Sequence, residues 1–231
     1  MASAARLFTV SGVPGVGKTT VLNGLEEHGY VVFREELDDT CRQAVERLYD
    51  TDGSMKISDR IDMEYAFFRN HLLTARKAAS YAQHHKCAVF LERCPLDTGF
   101  VFAPNNIGDS HQGRKACDDM QEDALQWVNT VQNMCELHLI LLQADSEVCR
   151  QRVLHRECTG ERNVPSTSYL SQIGRWYEES RLRLSTKLPG VVFHAPVCSD
   201  ALPHEVLNRV RRLCLVPRTQ AMNAASVPAL H

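Results

Sequence analysis

The sequence predicts an α/β fold in which a five-stranded parallel sheet is covered by helices on both faces. Short apolar segments alternate with longer segments of helical spacing, which is the order expected of strand–helix–strand units. The apolar segments are continuous rather than alternating, as is typical of strands buried on both faces. A glycine-rich motif at residues 12–19 lies between the first strand and the first helix, where such a sheet binds its ligands.

The composition is that of one globular domain. The chain has 231 residues, of which 44% are hydrophobic and 23% charged, enough for a full core around one sheet. We expect the domain to span residues 1–215 and the tail at 216–231, rich in Ala, Pro and polar residues, to be disordered. A net charge of −2 leaves no global field that would attract nucleic acid or an anionic membrane.

Nine cysteines are scattered without a C-x-x-C pair, and neither a signal peptide nor an apolar run of roughly 20 residues is evident. This pattern favours free thiols in a reducing compartment, most simply the cytoplasm, and argues against structural zinc.

The first half of the chain is expected to contain two strands and three helices. Gly29 separates the first helix from the second strand, and Ser58 with Asp59 can cap a long helix whose apolar residues recur at threes and fours. The expected bounds are 6–11 and 30–33 for the strands and 19–28, 40–49 and 58–85 for the helices, with a loop at 50–54.

The second half is expected to contain three strands and four helices. Proline, glycine and polar residues predict a loop at 105–113 and a gap at 157–163, and Asp145 or Ser146 can cap the helix that ends near Arg156. The expected bounds are 87–91, 137–142 and 191–193 for the strands and 118–134, 145–156, 166–184 and 202–213 for the helices.

The motif at residues 12–19 has the pattern of a phosphate-binding loop. Its glycines let successive N–H groups point at a phosphate, and the N-terminus of the following helix favours negative charge. Lys18 would reach the β- and γ-phosphates of a nucleoside triphosphate, and Thr19 would hold Mg²⁺. The alternative is a glycine-rich turn that binds nothing. The four fixed positions of G-x-x-x-x-G-K-[ST] are filled by Gly12, Gly17, Lys18 and Thr19, and the four variable positions hold Val13, Pro14, Gly15 and Val16.

An arginine-rich segment follows the fourth strand. Arg152 and Arg156 are four residues apart and share one helix face, with Arg150 before them and Arg162 in the gap after them. Guanidinium groups that close over a triphosphate stabilise the charge on the moving γ-phosphoryl group and exclude water. We expect an arginine-rich lid here; the alternative is a solvated basic helix face.

Carboxylates follow the second and third strands. Glu35, with Glu36, could accept the proton of a substrate hydroxyl, and Glu92 could turn toward Mg²⁺ while Arg93 turns toward substrate oxygen. The alternative for Glu35 and Glu36 is a solvent-facing pair at a strand end. The alternative for Glu92 and Arg93 is a surface ion pair.

The chain from the phosphate-binding loop to about Trp176 resembles the deoxynucleoside kinases, the family that includes deoxycytidine, deoxyguanosine, mitochondrial-type thymidine and some viral thymidine kinases. Residues 91–94 with 100–103 correspond to the family's "ERS…Y-x-F-A" pattern, with Cys94 in place of serine. The family's "IYLQA…C…R…R…P" pattern corresponds to residues 139–144 followed by Cys149, Arg152, Arg156 and Pro165.

The resemblance implies a P-loop kinase fold and the transfer of phosphate from ATP, with Mg²⁺, to the 5′-hydroxyl of a deoxynucleoside. It implies that Glu35 is the general base, that Arg93 holds the 5′-hydroxyl, and that Glu161, with Tyr49, binds the sugar 3′-hydroxyl. Homodimerisation is left open.

Two departures from the family pattern concern the base. Glu64 stands where the family uses a base-reading glutamine, and Thr98 with Gly99 stands where the deoxycytidine branch has an aspartate–arginine pair. The missing pair and the size tolerance of Thr98 and Gly99 favour thymidine or another pyrimidine. Glu64 could instead accept hydrogen bonds from a purine.

Three other functions are alternatives to this one. A nucleoside monophosphate kinase such as a thymidylate kinase would have Arg34 and Arg69 available for an acceptor phosphate, but Glu35 and Glu161 would repel it. A GTPase-like switch predicts an N-K-x-D guanine reader, and the chain has no Asn-Lys pair. An inactive scaffold is the remaining alternative.

Overall fold

The computed structural model describes residues 5–35, 55–155 and 165–215. In chain order the strands are β1 (Arg6–Ser11), β2 (Val31–Phe33), β3 (Ala88–Glu92), β4 (Glu136–Gln143), β5 (Val192–Phe193) and β6 (Val197–Cys198). The helices are α1 (Lys18–Glu27), α2 (Ile57–His85), α3 (Pro95–Asp97), α4 (Ala103–Ile107), α5 (His111–Gln132), α6 (Ser146–Leu154), α7 (Thr167–Lys187) and α8 (Pro203–Leu215), with a π-helical turn at Thr98–Phe102.

The sheet has the strand order β2-β3-β1-β4-β5, and every pairing in it is parallel. The predicted five-stranded parallel sheet is therefore confirmed. The two-residue strand β6, which the sequence did not predict, pairs with the end of β4. Since β1 lies between β3 and β4, the loop after β1 emerges at the centre of the sheet, beside the carboxyl ends of both neighbours.

Helices cover both faces, as predicted. On one face Phe68 of α2 and Trp127 of α5 pack against Leu7, Val89 and Leu137 of the central strands. On the other face α1, α7 and α8 pack against the opposite sides of the same strands, and the buried residues there include Phe8, Phe90, Ile140, Leu25, Ile173 and Val210. The alternation of Leu7 with Phe8 shows how a continuous apolar strand supplies both cores.

The predicted loop at 105–113 is wrong. Residues 103–107 form α4, and α5 begins at His111, seven residues before the predicted start at 118. Ser110 caps α5, its Oγ accepting a hydrogen bond from the Gly113 amide at 2.8 Å. Gly113 is needed for packing, since a Cβ there would lie 1.8 Å from the Ile107 carbonyl oxygen. The glycine and polar residues that predicted a loop therefore mark a tight junction between two helices.

The remaining predicted strands and helices that are described agree with their predicted bounds to within a few residues, whereas α3 and the π-helical turn at Thr98–Phe102 were not predicted. The predicted helix at 40–49, the loop at 50–54, the gap at 157–163 and the tail at 216–231 lie outside the described residues. Among the helices that are described, none is long and apolar enough to cross a membrane.

Candidate active site

The phosphate-binding loop packs so closely against its neighbours that two of its positions require glycine. The φ angle is 144° at Gly12 and 79° at Gly15, a region that residues with side chains rarely adopt. A Cβ atom would lie 2.6 Å from the Leu142 carbonyl oxygen at Gly12 and 2.2 Å from the Cys149 carbonyl oxygen at Gly15. The end of β4 and the start of α6 therefore leave room only for the backbone of the loop.

Lys18 is buried inside this loop, at the first position of α1. Its Nζ donates hydrogen bonds to the carbonyl oxygens of Gly12 at 3.1 Å and Val13 at 3.2 Å. Burial, followed by the nearby charge of Arg93, lowers the pKa of Lys18 to about 7. Neutral carbonyl groups are weak partners for an ammonium, so a phosphate in the loop would be a far stronger one.

The two residues predicted to hold Mg²⁺ supply one hydroxyl and one carboxylate. Thr19 is exposed in the first turn of α1, and Glu92 is half-buried at the end of β3. The charge of Glu92 acts on Lys18, so the carboxylate lies near the loop. Among the described residues no cluster of three or more His, Cys, Asp or Glu could hold a metal ion. Mg²⁺ usually takes only one or two protein oxygens, with phosphate and water as its other ligands, so this pair fits it.

Glu35 and Arg93 meet at the carboxyl ends of neighbouring strands. Phe33 of β2 pairs with Leu91 of β3, and Glu35 and Arg93 lie two positions after Phe33 and Leu91 respectively. Arg93 Nε donates to Glu35 Oε2 at 3.0 Å, and the Arg93 guanidinium lies 4.6 Å from the centre of the Phe102 ring. Arg93 has φ of 60°, a strained conformation of the kind that clusters at functional sites.

A third residue, His71 of α2, also holds Glu35. Its Nε2 lies 2.6 Å from Glu35 Oε1, and its Nδ1 lies 2.7 Å from Thr98 Oγ1. Burial by itself would raise the pKa of Glu35, but the charge of Arg93 together with the charge and hydrogen bond of His71 lowers it to about 2. Glu35 is therefore a carboxylate at any physiological pH.

Two further side chains connect Arg93 to the phosphate-binding loop. Arg93 Nη1 donates to Tyr177 Oη at 3.2 Å, and that hydroxyl donates to Asp97 Oδ1 at 2.6 Å. Asp97 Oδ2 accepts hydrogen bonds from the Cys94 amide at 2.7 Å and from Ser11 Oγ, the last residue of β1, at 3.0 Å. Sequence reasoning missed His71, Asp97 and Tyr177. The one local signal for Asp97 was its place three residues after Cys94, where it completes a helix cap.

Glu64, predicted to contact the base, is 2% exposed on the same face of α2 as His71, two turns away. Glu64 Oε1 accepts a hydrogen bond from Asn106 Nδ2 at 2.7 Å, and Asn106 Oδ1 accepts one from Tyr169 Oη at 3.4 Å. Burial raises the pKa of Glu64 to about 7. The protonation of this carboxyl therefore changes near neutral pH.

The expected size tolerance at Gly99 is wrong, whereas the predicted role of Thr98 stays a prediction. A Cβ at Gly99 would lie 3.1 Å from the Met120 carbonyl oxygen, so this glycine allows α5 to pack closely rather than making room for a substrate. Thr98 is 1% exposed, and its hydroxyl contacts His71.

Arg152 lies over the phosphate-binding loop, where the lid was predicted. Its Nη2 donates to the Ser199 carbonyl oxygen at 2.9 Å, and its Nη1 lies 3.5 Å from the Val16 carbonyl oxygen. It borders a cavity of about 350 Å³ between the loop, the end of α6 and the segment that enters α8. The lining includes Gly17, Thr20, Arg152, His155, Ser199 and Ala201. Arg156, Glu161 and Tyr49 lie outside the described residues.

The parallel sheet, the phosphate-binding loop and the arginine above it define a P-loop kinase. A family model described as deoxynucleoside kinase matches residues 8–213, most of the chain. The chain belongs to the deoxynucleoside kinase family, as its sequence motifs predicted, and it is an ATP-dependent kinase of nucleosides.

Solved structures of the deoxyadenosine kinase from M. mycoides share the fold. The structure with bound dATP has a TM-score of 0.61 and 15% identity, and the alignment covers 91% of this chain and 100% of that chain. The structure with bound dCTP has a TM-score of 0.60 and 14% identity, with coverage of 91% and 100%. No curated protein sequence matches the chain.

Proposed function

We propose that this kinase transfers the γ-phosphoryl group of ATP to the 5′-hydroxyl of a deoxynucleoside, with thymidine or another pyrimidine preferred. The single observation that carries this proposal is the contact of Glu35 with Arg93 at two strand ends beside the phosphate-binding loop. In this arrangement Glu35 accepts the hydroxyl proton and Arg93 orients the hydroxyl oxygen for in-line attack.

Charge favours a nucleoside over a nucleoside monophosphate as the acceptor. Two unit charges ~4 Å apart at an effective dielectric constant of ~20 interact by about 4 kcal/mol, roughly a thousandfold in affinity. A monophosphate next to Glu35 would meet this repulsion, and Arg93 offers limited compensation because its guanidinium is already bound to Glu35 and Tyr177. Thymidylate kinase activity is the second candidate, and this magnitude argues against it.

The phosphate donor occupies the loop at residues 12–19. The backbone N–H groups and Lys18 bind the β- and γ-phosphates, while Arg152, with Arg156, stabilises the charge on the γ-phosphoryl group as it moves. Thr19 and Glu92 would hold Mg²⁺, which would neutralise negative charge on the phosphates of ATP. The cavity beside Arg152 takes the nucleoside part of ATP.

Base choice depends on Glu64. A protonated carboxyl has one donor and one acceptor, which match the O4 and N3–H of thymine. Cytosine and adenine also offer one donor and one acceptor, so they are the alternative bases. The M. mycoides protein is a deoxyadenosine kinase, and one of its structures contains the product dCMP. Tyr49 and Glu161 are proposed to bind the 3′-hydroxyl of the sugar. Homodimerisation and a cytoplasmic location stay predictions.

The test is a panel of the four deoxynucleosides and thymidine monophosphate, each offered with ATP and Mg²⁺. We expect turnover of free nucleosides, with the highest kcat/KM for a pyrimidine. Glu35→Gln should bind nucleoside almost as well as the wild type but lose at least ~10²-fold in kcat, because an amide keeps the shape and cannot take the proton.

Two results would count against the proposal. Phosphorylation of thymidine monophosphate without turnover of any free nucleoside would assign the protein to the monophosphate kinases. A Glu35→Gln variant with wild-type kcat would remove Glu35 from the proton transfer.

A further inference from the structure

We propose that His71 is a positioning residue for Glu35, and that Thr98 affects the reaction only by orienting His71. This inference rests on the proposed function, because it concerns how the general base is held. It also changes the predicted role of Thr98, which becomes a support for His71 instead of a contact to the base.

The three residues form one buried row of hydrogen bonds from the π-helical turn to the end of β2. Thr98 Oγ1 lies 2.7 Å from His71 Nδ1, and His71 Nε2 lies 2.6 Å from Glu35 Oε1. His71 is 4% exposed and Thr98 is 1% exposed, whereas the Glu35 side chain is 18% exposed. The row is therefore closed to water at the threonine end and opens toward the cleft at the carboxylate.

Because the Glu35 carboxylate can only accept, His71 presents an N–H to it, and the threonine hydroxyl serves as partner of the other ring nitrogen in either protonation state of the imidazole. A hydroxyl both donates and accepts and can rotate. When His71 is neutral, Thr98 donates to Nδ1, which places the ring proton on Nε2, facing Glu35. When His71 is protonated, both ring nitrogens donate and Thr98 accepts. Valine in place of Thr98 would leave the buried Nδ1 without this partner and would remove the hydrogen bond that holds the orientation of the ring.

Two donors from different elements fix the plane of the Glu35 carboxylate. Nε of Arg93, the residue directly after β3, holds Oε2, and His71 Nε2 of α2 holds Oε1. With Arg93 alone, the carboxylate could rotate about its last torsion, which is a soft one. Each oxygen retains a lone pair for a further hydrogen bond, so the 5′-hydroxyl can approach a base that is already aligned.

The contact also affects the protonation of Glu35. The charged or titratable groups that face Glu35 are Arg93, His71 and Lys18, and all three lower its pKa. Loss of the imidazole should therefore raise the pKa of Glu35 from its low value of about 2.

The experiment compares His71→Phe with His71→Gln, which keeps an N–H near the position of Nε2. His71→Phe should lower kcat for thymidine by about tenfold or more and change the nucleoside KM by less than about threefold, a split that a residue serving only the packing of α2 would not produce. His71→Gln should recover most of the kcat. His84→Phe, the same substitution at an exposed position of the same helix, is the control.

Thr98→Val and Thr98→Ser test the indirect role of threonine. Thr98→Val should lower kcat, Thr98→Ser should preserve it, and Thr98→Val should have no further effect in the His71→Phe background. If His71→Phe does not fold, the inference is tested by Thr98→Val and Thr98→Ser alone: kcat should fall in the first variant and be preserved in the second.

The wild-type rate on thymidine and the other nucleosides is measured first. Its absence overturns the proposed function, and this inference with it. With wild-type turnover present, a His71→Phe variant of unchanged kcat overturns the inference alone. A variant that alters the ranking of the four nucleosides while kcat is kept would show that His71 contacts the base.

Discussion

At the scale of single residues, Glu64 is a buried carboxyl whose hydrogen-bonding pattern changes near neutral pH. Burial raises its pKa to about 7, partly opposed by the Asn106 hydrogen bond and the charge of His71. The protonated carboxyl has one donor and one acceptor, whereas the ionised one has acceptors only. Thymine offers one donor and one acceptor, while guanine offers two adjacent donors. The two forms of Glu64 therefore suit different bases.

We expect base preference to move from thymidine toward deoxyguanosine as the pH rises through 7. Between about pH 6 and about pH 8.5, the ratio of kcat/KM for thymidine to that for deoxyguanosine should fall about tenfold. The ratio is measured because titration elsewhere in the site affects both substrates alike. Glu64→Gln should make the ratio independent of pH, since an amide keeps one donor and one acceptor. A constant wild-type ratio would contradict the proposed role of Glu64.

At the scale of an element, α6 places two nearby arginines in different surroundings. Arg152 contacts the carbonyl oxygens of Val16 and Ser199 above the phosphate-binding loop. Arg150 instead makes a surface ion pair with Glu147, with Nη1 and Oε1 3.6 Å apart. Residues two apart on a helix do not share a face, so only Arg152 points to the loop. The alternative of a solvated basic face therefore describes Arg150 and not Arg152.

Arg152→Ala should lower kcat by on the order of 10²-fold and should change the nucleoside KM much less, because its charge is needed mainly as the γ-phosphoryl group moves. Arg150→Ala is the matched control and should stay within about twofold of the wild type, since exposed ion pairs contribute little. Steady-state kinetics with ATP and thymidine as the varied substrates distinguish the two. A raised nucleoside KM at constant kcat for Arg152→Ala would instead place this arginine in the acceptor pocket.

At the scale of the whole molecule, the sheet and the phosphate-binding loop were predictable because their signals are local. A continuous apolar segment and a fixed glycine spacing predict the same local structure whatever the tertiary structure of the rest of the chain. The row of hydrogen bonds from Glu35 through His71 to Thr98 has no such signal, because it joins three segments far apart in the sequence. The start of α5 was missed for another reason: Gly113 is a turn residue by composition and a packing residue in the structure.

Two buried imidazoles lie beside each other across the sheet. His138 of β4 stacks on Phe8 of β1, with ring centres 4.4 Å apart, and its Nδ1 lies 3.1 Å from His194 Nε2. The carboxylate of Glu136 lies 3.5 Å from His138 Nε2. Burial, followed by the charge of His138, lowers the pKa of His194 from 6.5 to about 4. The folded protein therefore binds fewer protons at His194 than the unfolded chain does.

His194 and Glu64 should make opposite contributions to the pH dependence of folding stability. For His194, the free energy of unfolding falls as the pH drops from 6.5 toward 4, because only the unfolded chain takes up the proton. Glu64 has a pKa of about 7 in the folded state and an ordinary value of 4.5. Its contribution rises as the pH drops over nearly the same range, because the folded state takes up the proton first. From pH 7 to pH 5 each contribution amounts to about 2 kcal/mol, so in the wild type they nearly offset each other.

Removing either Glu64 or His194 should expose the pH dependence of stability that the other group contributes. Glu64→Gln should make the free energy of unfolding fall by about 2 kcal/mol between pH 7 and pH 5 relative to the wild type, and His194→Phe should make it rise by about the same amount. Phenylalanine retains a ring for stacking. The lost hydrogen bond to His138 should change the free energy of unfolding at every pH more than it changes the slope of that free energy with pH. Urea unfolding at several pH values measures both slopes, and Glu35, with its pKa of about 2, contributes little in this range. Equal slopes for the two variants would contradict the opposing titration, because the argument requires slopes of opposite sign.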